Sequence, residues 1–146
     1  MKLQKELLNG FYIFLGITLY FILIEILGFS YLHYLRVLNI LIVYYGVHRM
    51  LTSNVSEGKL GYVYNLRSAG VTALIGVALS VIGLVAYIYI RGGKTFLDSL
   101  SNLFIFGGKP GVVEYCVGIL FEGLVSALVV VFIAMQLWIN KVTIKN

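Results

Sequence analysis

The residue best placed to do chemistry in this chain is Glu122. It stands ten residues into the run 111–140, and no other charge follows it until Lys141. Helical residues rise ~1.5 Å each, so in a membrane helix Glu122 lies roughly 15 Å into a hydrocarbon core about 30 Å thick. A carboxylate at that depth costs several kcal/mol unless it is protonated, paired or wetted, so it must face protein rather than lipid. Gly118 and Ser126 lie four residues to either side and share its stripe. Three further polar residues join it. Glu25 is near the outer end of the first apolar run, and Arg36 and Asn39 are three apart near the outer end of the second. A tight hairpin brings Glu25 and Arg36 to similar depth, so the expected contact is a Glu25–Arg36 pair. Glu122 lies deeper, where it can meet Asn39, Thr18 or Ser80. This set can do one of two things: relay a proton or cation through Glu122 and Glu25, or fix helix order as a static pair plus one hydrogen-bonded acid.

Other chemistries find little support. Cys116 has no partner for an internal disulfide and sits in an apolar run as a small hydrophobe. His33 and His48 fall on opposite membrane sides, so they cannot share a metal, and no Cys/His group has metal-ligand spacing. The segment GGKPG (107–111) lacks the spacing and the Ser/Thr of a phosphate loop. No Ser/His/Asp set can be assembled. No enzyme, cofactor or metal is expected.

The elements that must carry these residues follow from composition. Of 146 residues, 60 % are apolar and 12 % are charged, against about a quarter charged in a soluble domain. The apolar runs predict an all-α integral membrane protein formed by one domain, 1–146. Four transmembrane helices, about 7–29, 31–51, 62–90 and 112–139, form an antiparallel bundle. Period-two alternation is missing from every run, which argues against a β-barrel. The N-terminal MKLQKE has no cleavage site after it and is read as the flank of an anchor. Between the third and fourth spans, TFLDSLSNLF places Phe96, Leu97, Leu100, Leu103 and Phe104 on one face. Thr95 and Asp98 form a plausible capping box. This predicts a short amphipathic helix, about 95–104, lying on the membrane surface.

The net charge of +5 does not imply nucleic acid, because the basic residues lie at the ends of apolar runs. Lys2, Lys5, Arg49, Lys59, Arg67, Lys141 and Lys145 fall on one side, and Arg36, Arg91, Lys94 and Lys109 on the other, which places both termini in the cytoplasm. Arg49, Lys59 and Arg67 are the candidates for anionic lipid headgroups. Tyrosines near run ends, and Trp138, suit interfacial belts. On the third run, Ala69, Gly76 and Gly83 recur every seven residues. Such small side chains let helices approach closely, within this chain or against another membrane protein.

Residues 57–90, EGKLGYVYNLRSAGVTALIGVALSVIGLVAYIYI, resemble a segment of small four-span inner-membrane proteins of unknown function found in Bacteroidota. In that group a glycine-led segment with aromatics enters a small-residue-rich third helix, and a loop of short helical character precedes the last span. The resemblance implies a bacterial inner membrane and brings no catalytic residues. The leading expectation is a non-enzymatic accessory or assembly subunit whose partners are membrane lipids and other integral membrane proteins, or a second copy. A small oligomeric transporter or channel component using Glu122 and Glu25, and an anionic-lipid-binding protein, are the alternatives.

Overall fold

A computed structural model describes residues 3–29, 33–100 and 110–142. Among these, all regular structure is helical: α1 Leu3–Ile26, a 3-10 segment His33–Leu38, α2 Asn39–Ser56, α3 Tyr62–Ile90, α4 Lys94–Leu100 and α5 Val112–Val142. Three of these, α1, α3 and α5, are long and apolar enough to cross a membrane, so this is a multi-pass membrane protein. At ~1.5 Å per residue they run about 36, 44 and 46 Å, longer than a hydrocarbon core of about 30 Å. Their ends therefore reach past the hydrocarbon into the headgroup region.

The second expected run, 31–51, is not one helix. Its described part begins with the 3-10 segment, and α2 then continues past Leu51 to Ser56. His48, Arg49, Asn54 and the hydroxyl residues Thr52, Ser53 and Ser56 keep α2 out of the span-forming class. The expected surface helix is described as far as Leu100. It starts at Lys94, which puts Thr95 inside the first turn rather than at the cap, and Leu103 and Phe104 lie outside the described residues.

Local sequence stops three of the helices in the same way. Gly28, Gly58 and Gly92 carry positive φ just past the ends of α1, α2 and α3. In each case two backbone N–H groups turn back to the last carbonyls. Gly28 and Phe29 bond Glu25 and Ile24, Gly58 and Lys59 bond Val55 and Asn54, and Gly92 and Gly93 bond Tyr89 and Ile88. This is the Schellman arrangement, which satisfies carbonyls that would otherwise lack a donor at the helix end.

The buried faces repeat at helical spacing. Val43, Gly46, Val47, Met50, Leu51 and Asn54 form the inner stripe of α2, and Ala127, Val130, Val131, Ala134, Met135 and Trp138 that of α5. α3 packs against α1, α2 and α5, and α2 also packs against α1 and α5. The start of α1, the α2–α3 link and the end of α5 share one end of the molecule. Lys5 pairs with Glu57 there, and the Gly61 N–H donates to the Val142 carbonyl at 2.7 Å. Trp138 belongs to this core rather than to an interfacial belt: it is buried, with His48 against its edge.

Candidate functional site

At the opposite end from the termini the helices part around a cavity of about 250 Å³. Its walls are mostly apolar, and its polar groups come from every long helix: Thr18 on α1, Arg36 and Asn39 at the entry to α2, Ser80 and Tyr87 on α3, and Tyr115, Glu122 and Ser126 on α5. The expected company of Glu122 is therefore assembled, but around a space rather than through direct bonds. No described residue donates a hydrogen bond to the Glu122 carboxylate. Ser80 instead donates to the Gly76 carbonyl one turn back, at 2.7 Å.

The expected Glu25–Arg36 pair does not form. Arg36 donates through Nη2 to the Tyr115 hydroxyl at 2.6 Å. Glu25 accepts from Arg91 Nη2 at 2.8 Å and from the Tyr87 hydroxyl. The reason lies in the connection: α1 ends at Ile26 and the 3-10 segment tilts Arg36 across the molecule toward α5. The end of α3, lying beside α1, supplies the cation to Glu25 instead. Phe21 and Phe96 stack edge-on against Tyr87, which ties α1, α3 and α4 into one rim. Just outside the spans, the Arg91 guanidinium is held above its ordinary pKa, first by its hydrogen bond to Glu25. Arg36 thus carries a positive charge at the mouth of the cavity. Glu122, seven residues beyond Tyr115, lies roughly 10 Å deeper along α5.

No family model, curated protein or solved structure matches the chain. The site must be interpreted from its own geometry.

The small-residue stripes turn inward. A Cβ on Gly76 would stand 2.6 Å from Ile13 Cγ2, and one on Gly83 would stand 2.8 Å from the Phe14 ring. Ala69 is fully buried in the same core. The close approach at Gly76 and Gly83 is therefore spent on α1 of the same chain. Glu122 and Ser126 likewise face the cavity, with Gly118 one turn before Glu122 on the same helix. Among the candidates for lipid headgroups, Arg49 lies 4.2 Å from the Tyr12 ring centre and Lys59 pairs with Glu57 at 2.7 Å, while Arg67 is exposed. Cys116 is buried with Ile88, Leu97 and Tyr115, as a small hydrophobe would be. Among the described residues, no group of three His, Cys, Asp or Glu side chains could hold a metal ion.

Sequence reasoning missed a second polar group, at the termini end. Glu6, Asn9, Asn54, Asn65, Ser68 and Thr72 are all 5 % exposed or less. A signal was present: Glu6, Asn9, Gly10 and Ile13 share one helical face. Burial of that face from its first turn depended on α2 and α3 extending beside it.

Between the two polar regions lies a packed apolar layer. Ile13 fits between Gly46 and Gly76, with Val47 and Ala73 beside it, each 1 % exposed or less. The cavity is therefore closed toward the termini end.

Proposed function

We propose that the chain is a non-enzymatic, four-span protein of a bacterial inner membrane, with both termini cytoplasmic, that binds a small amine-bearing amphiphile in the Glu122 cavity. As the binding component of a small transporter, it would take its ligand from the non-cytoplasmic side. The observation that carries this reading is that Glu122 lines a cavity with mostly apolar walls and accepts no hydrogen bond from the described residues. A carboxylate in such a setting gains most from a ligand that brings a cation or N–H donors, because the low local dielectric strengthens the pair. Ile17, Phe21, Val77 and Ile119 offer an apolar body a place along the walls. Arg36 at the mouth accommodates an anionic group on the same molecule.

The fourth span in this reading is the 3-10 segment with α2. The 18 residues of α2 cover about 27 Å, and packing against α1, α3 and α5 buries Asn54, while His48, Arg49, Thr52 and Ser56 stay exposed toward the end of the helix. The closed apolar layer favours a one-sided binding site over an open channel.

The test uses three probes with one chain length: octylamine, octanol and octanoate, titrated into the purified protein in detergent. Octylamine is expected to bind at least tenfold more tightly than octanol, and Glu122→Gln to erase that preference. A preference for octanoate would make Arg36 the recognition element and defeat the proposal. The accessory-subunit role is read separately by native mass spectrometry of the gently extracted protein, where a stoichiometric larger complex would support it.

A further inference from the structure

The buried polar group at the termini end contains a mismatch between acceptors and donors. Glu6 Oε2, Asn9 Oδ1, Asn54 Oδ1 and Thr72 Oγ1 are all enclosed, and none has a hydrogen-bond partner among the described residues. The amide orientations are fixed by their other contacts. The Asn65 amide nitrogen donates to the Lys59 and Gly61 carbonyls, so Asn65 presents oxygen to Asn54. Asn54 must answer with nitrogen, which donates to Asn65 Oδ1 at 3.1 Å and to Ser68 Oγ at 3.2 Å. The Asn9 nitrogen donates to the Lys5 carbonyl at 2.9 Å and reaches Met50 sulfur. Both amide oxygens are thereby turned away from every donor in reach. Ser68 gives its own hydrogen to Glu6 Oε1 at 3.0 Å. What remains is a carboxylate oxygen and two amide oxygens, with only the Thr72 hydroxyl hydrogen to serve them.

These groups come from three helices and lie within about one helical turn of one another. Glu6 contacts Ser68, and Ser68 contacts Asn54. Asn9 is on the face of Glu6 and contacts Met50, one turn before Asn54. Thr72 is one turn beyond Ser68, and a Cβ on Gly10 would lie 3.1 Å from its carbonyl oxygen. The nearby cations are engaged elsewhere, since Lys5 and Lys59 both pair with Glu57.

We propose that Glu6, Asn9, Asn54 and Thr72 form a binding site for a single alkali metal cation, enclosed where α1, α2 and α3 meet. Oxygen-only donors select a hard cation. One carboxylate among neutral oxygens balances one positive charge, whereas calcium sites usually gather several carboxylates. Buried oxygens that meet no donor lose the solvation they have in water, and the cation restores what the fold removes. The site pins α1 to α2 and α3, and it is separate from the amine-binding cavity, so either proposal can fail alone.

The experiment is thermal unfolding of the full chain in detergent at fixed pH and ionic strength. Sodium, potassium and lithium chloride are each compared with N-methyl-D-glucamine chloride. At least one alkali cation is expected to raise Tm by about 5 °C once it exceeds its dissociation constant by roughly two orders of magnitude. Glu6→Gln is expected to remain folded and lose the response, because the new amide supplies N–H donors to the same oxygens. Thr72→Val keeps the charge and the shape and is expected to raise the half-saturating concentration roughly tenfold. Sodium-23 line broadening on the wild-type chain, relieved in the presence of excess lithium or potassium, would support the site independently of any variant. An identical Tm in all four salts would overturn the proposal, as would a full cation response in Glu6→Gln. A stability that follows pH but ignores cation identity would also overturn it and assign the position to a proton.

Discussion

Substituting Gly46 by alanine tests how the floor of the cavity is built. The new Cβ would stand 2.3 Å from Ile13 Cγ1 and 2.6 Å from its Cδ1. Carbon atoms pack at about 3.5–4.0 Å, so more than ~1 Å must be found. Ile13 cannot supply it by rotating, because it is 1 % exposed and Gly76 on α3 holds its other side. Overpacking of this kind costs about 1–3 kcal/mol. Ile13→Ala alone removes a fully buried side chain and costs about 2–5 kcal/mol. Together the two changes partly cancel, because the added methyl occupies space that Ile13 vacates. The double variant should be more stable than the sum of the single effects by about 1–3 kcal/mol. The assay is reversible unfolding in mixed micelles titrated with a denaturing detergent, followed by the fluorescence of Trp138, the sole tryptophan. Gly70→Ala serves as the control: nothing lies within 4 Å of its Cβ, so it should be neutral or slightly stabilising. If Gly46→Ala and Ile13→Ala combine additively to within about 0.5 kcal/mol, Ile13 is not wedged between the two glycines and the seal described above is wrong.

Other outcomes follow from the same contacts. Gly83→Ala should cost less than Gly76→Ala, because the edge of the Phe14 ring can swing aside while Ile13 Cβ, 2.7 Å from the added carbon at Gly76, cannot; melting of the two variants side by side decides it. Asn54→Ala should destabilise the chain by about 1–3 kcal/mol, since it leaves Asn65 Oδ1 without its donor inside the core, and chemical denaturation measures this. Ile119→Trp, placed on the cavity wall, should abolish octylamine binding while changing the helical circular dichroism little. Arg91→Gln should lower Tm by less than about 2 °C, because the pair with Glu25 is largely exposed on the arginine side. The raised Arg91 pKa makes the pair's stabilisation complete below the unfolded value and lost only as pH climbs through the folded one. The effect of that variant should therefore be constant from about pH 6 to about pH 9.

The amino-acid sequence alone settled the class of protein and the three longest helices. The apolar runs 7–29, 62–90 and 112–139 locate them, although α1 starts earlier, at Leu3, and ends at Ile26, and α5 continues to Val142; a glycine stops two of them. These are local properties, set by each segment's own backbone hydrogen bonds and its transfer out of water. The second helix was harder to place because its apolar residues, such as Val43 and Val47, share it with His48, Arg49 and Asn54. Only the neighbours that bury one face decide where such a helix begins and ends. The polar stripe through Glu122 was legible, and the cavity it faces was not. Its walls come from four separated segments, and the space between them depends on how far the helices diverge.

Pairing lay further from reach. Glu25 takes Arg91, which is 66 positions away, rather than Arg36 in the adjoining segment. Glu6 looked like part of a charged flank and is instead among the most enclosed side chains in the protein. Sequence spacing assigns a residue to a face of its own helix. Which other helix covers that face depends on crossing angle and register, and these are set jointly by contacts such as Ile13 between Gly46 and Gly76.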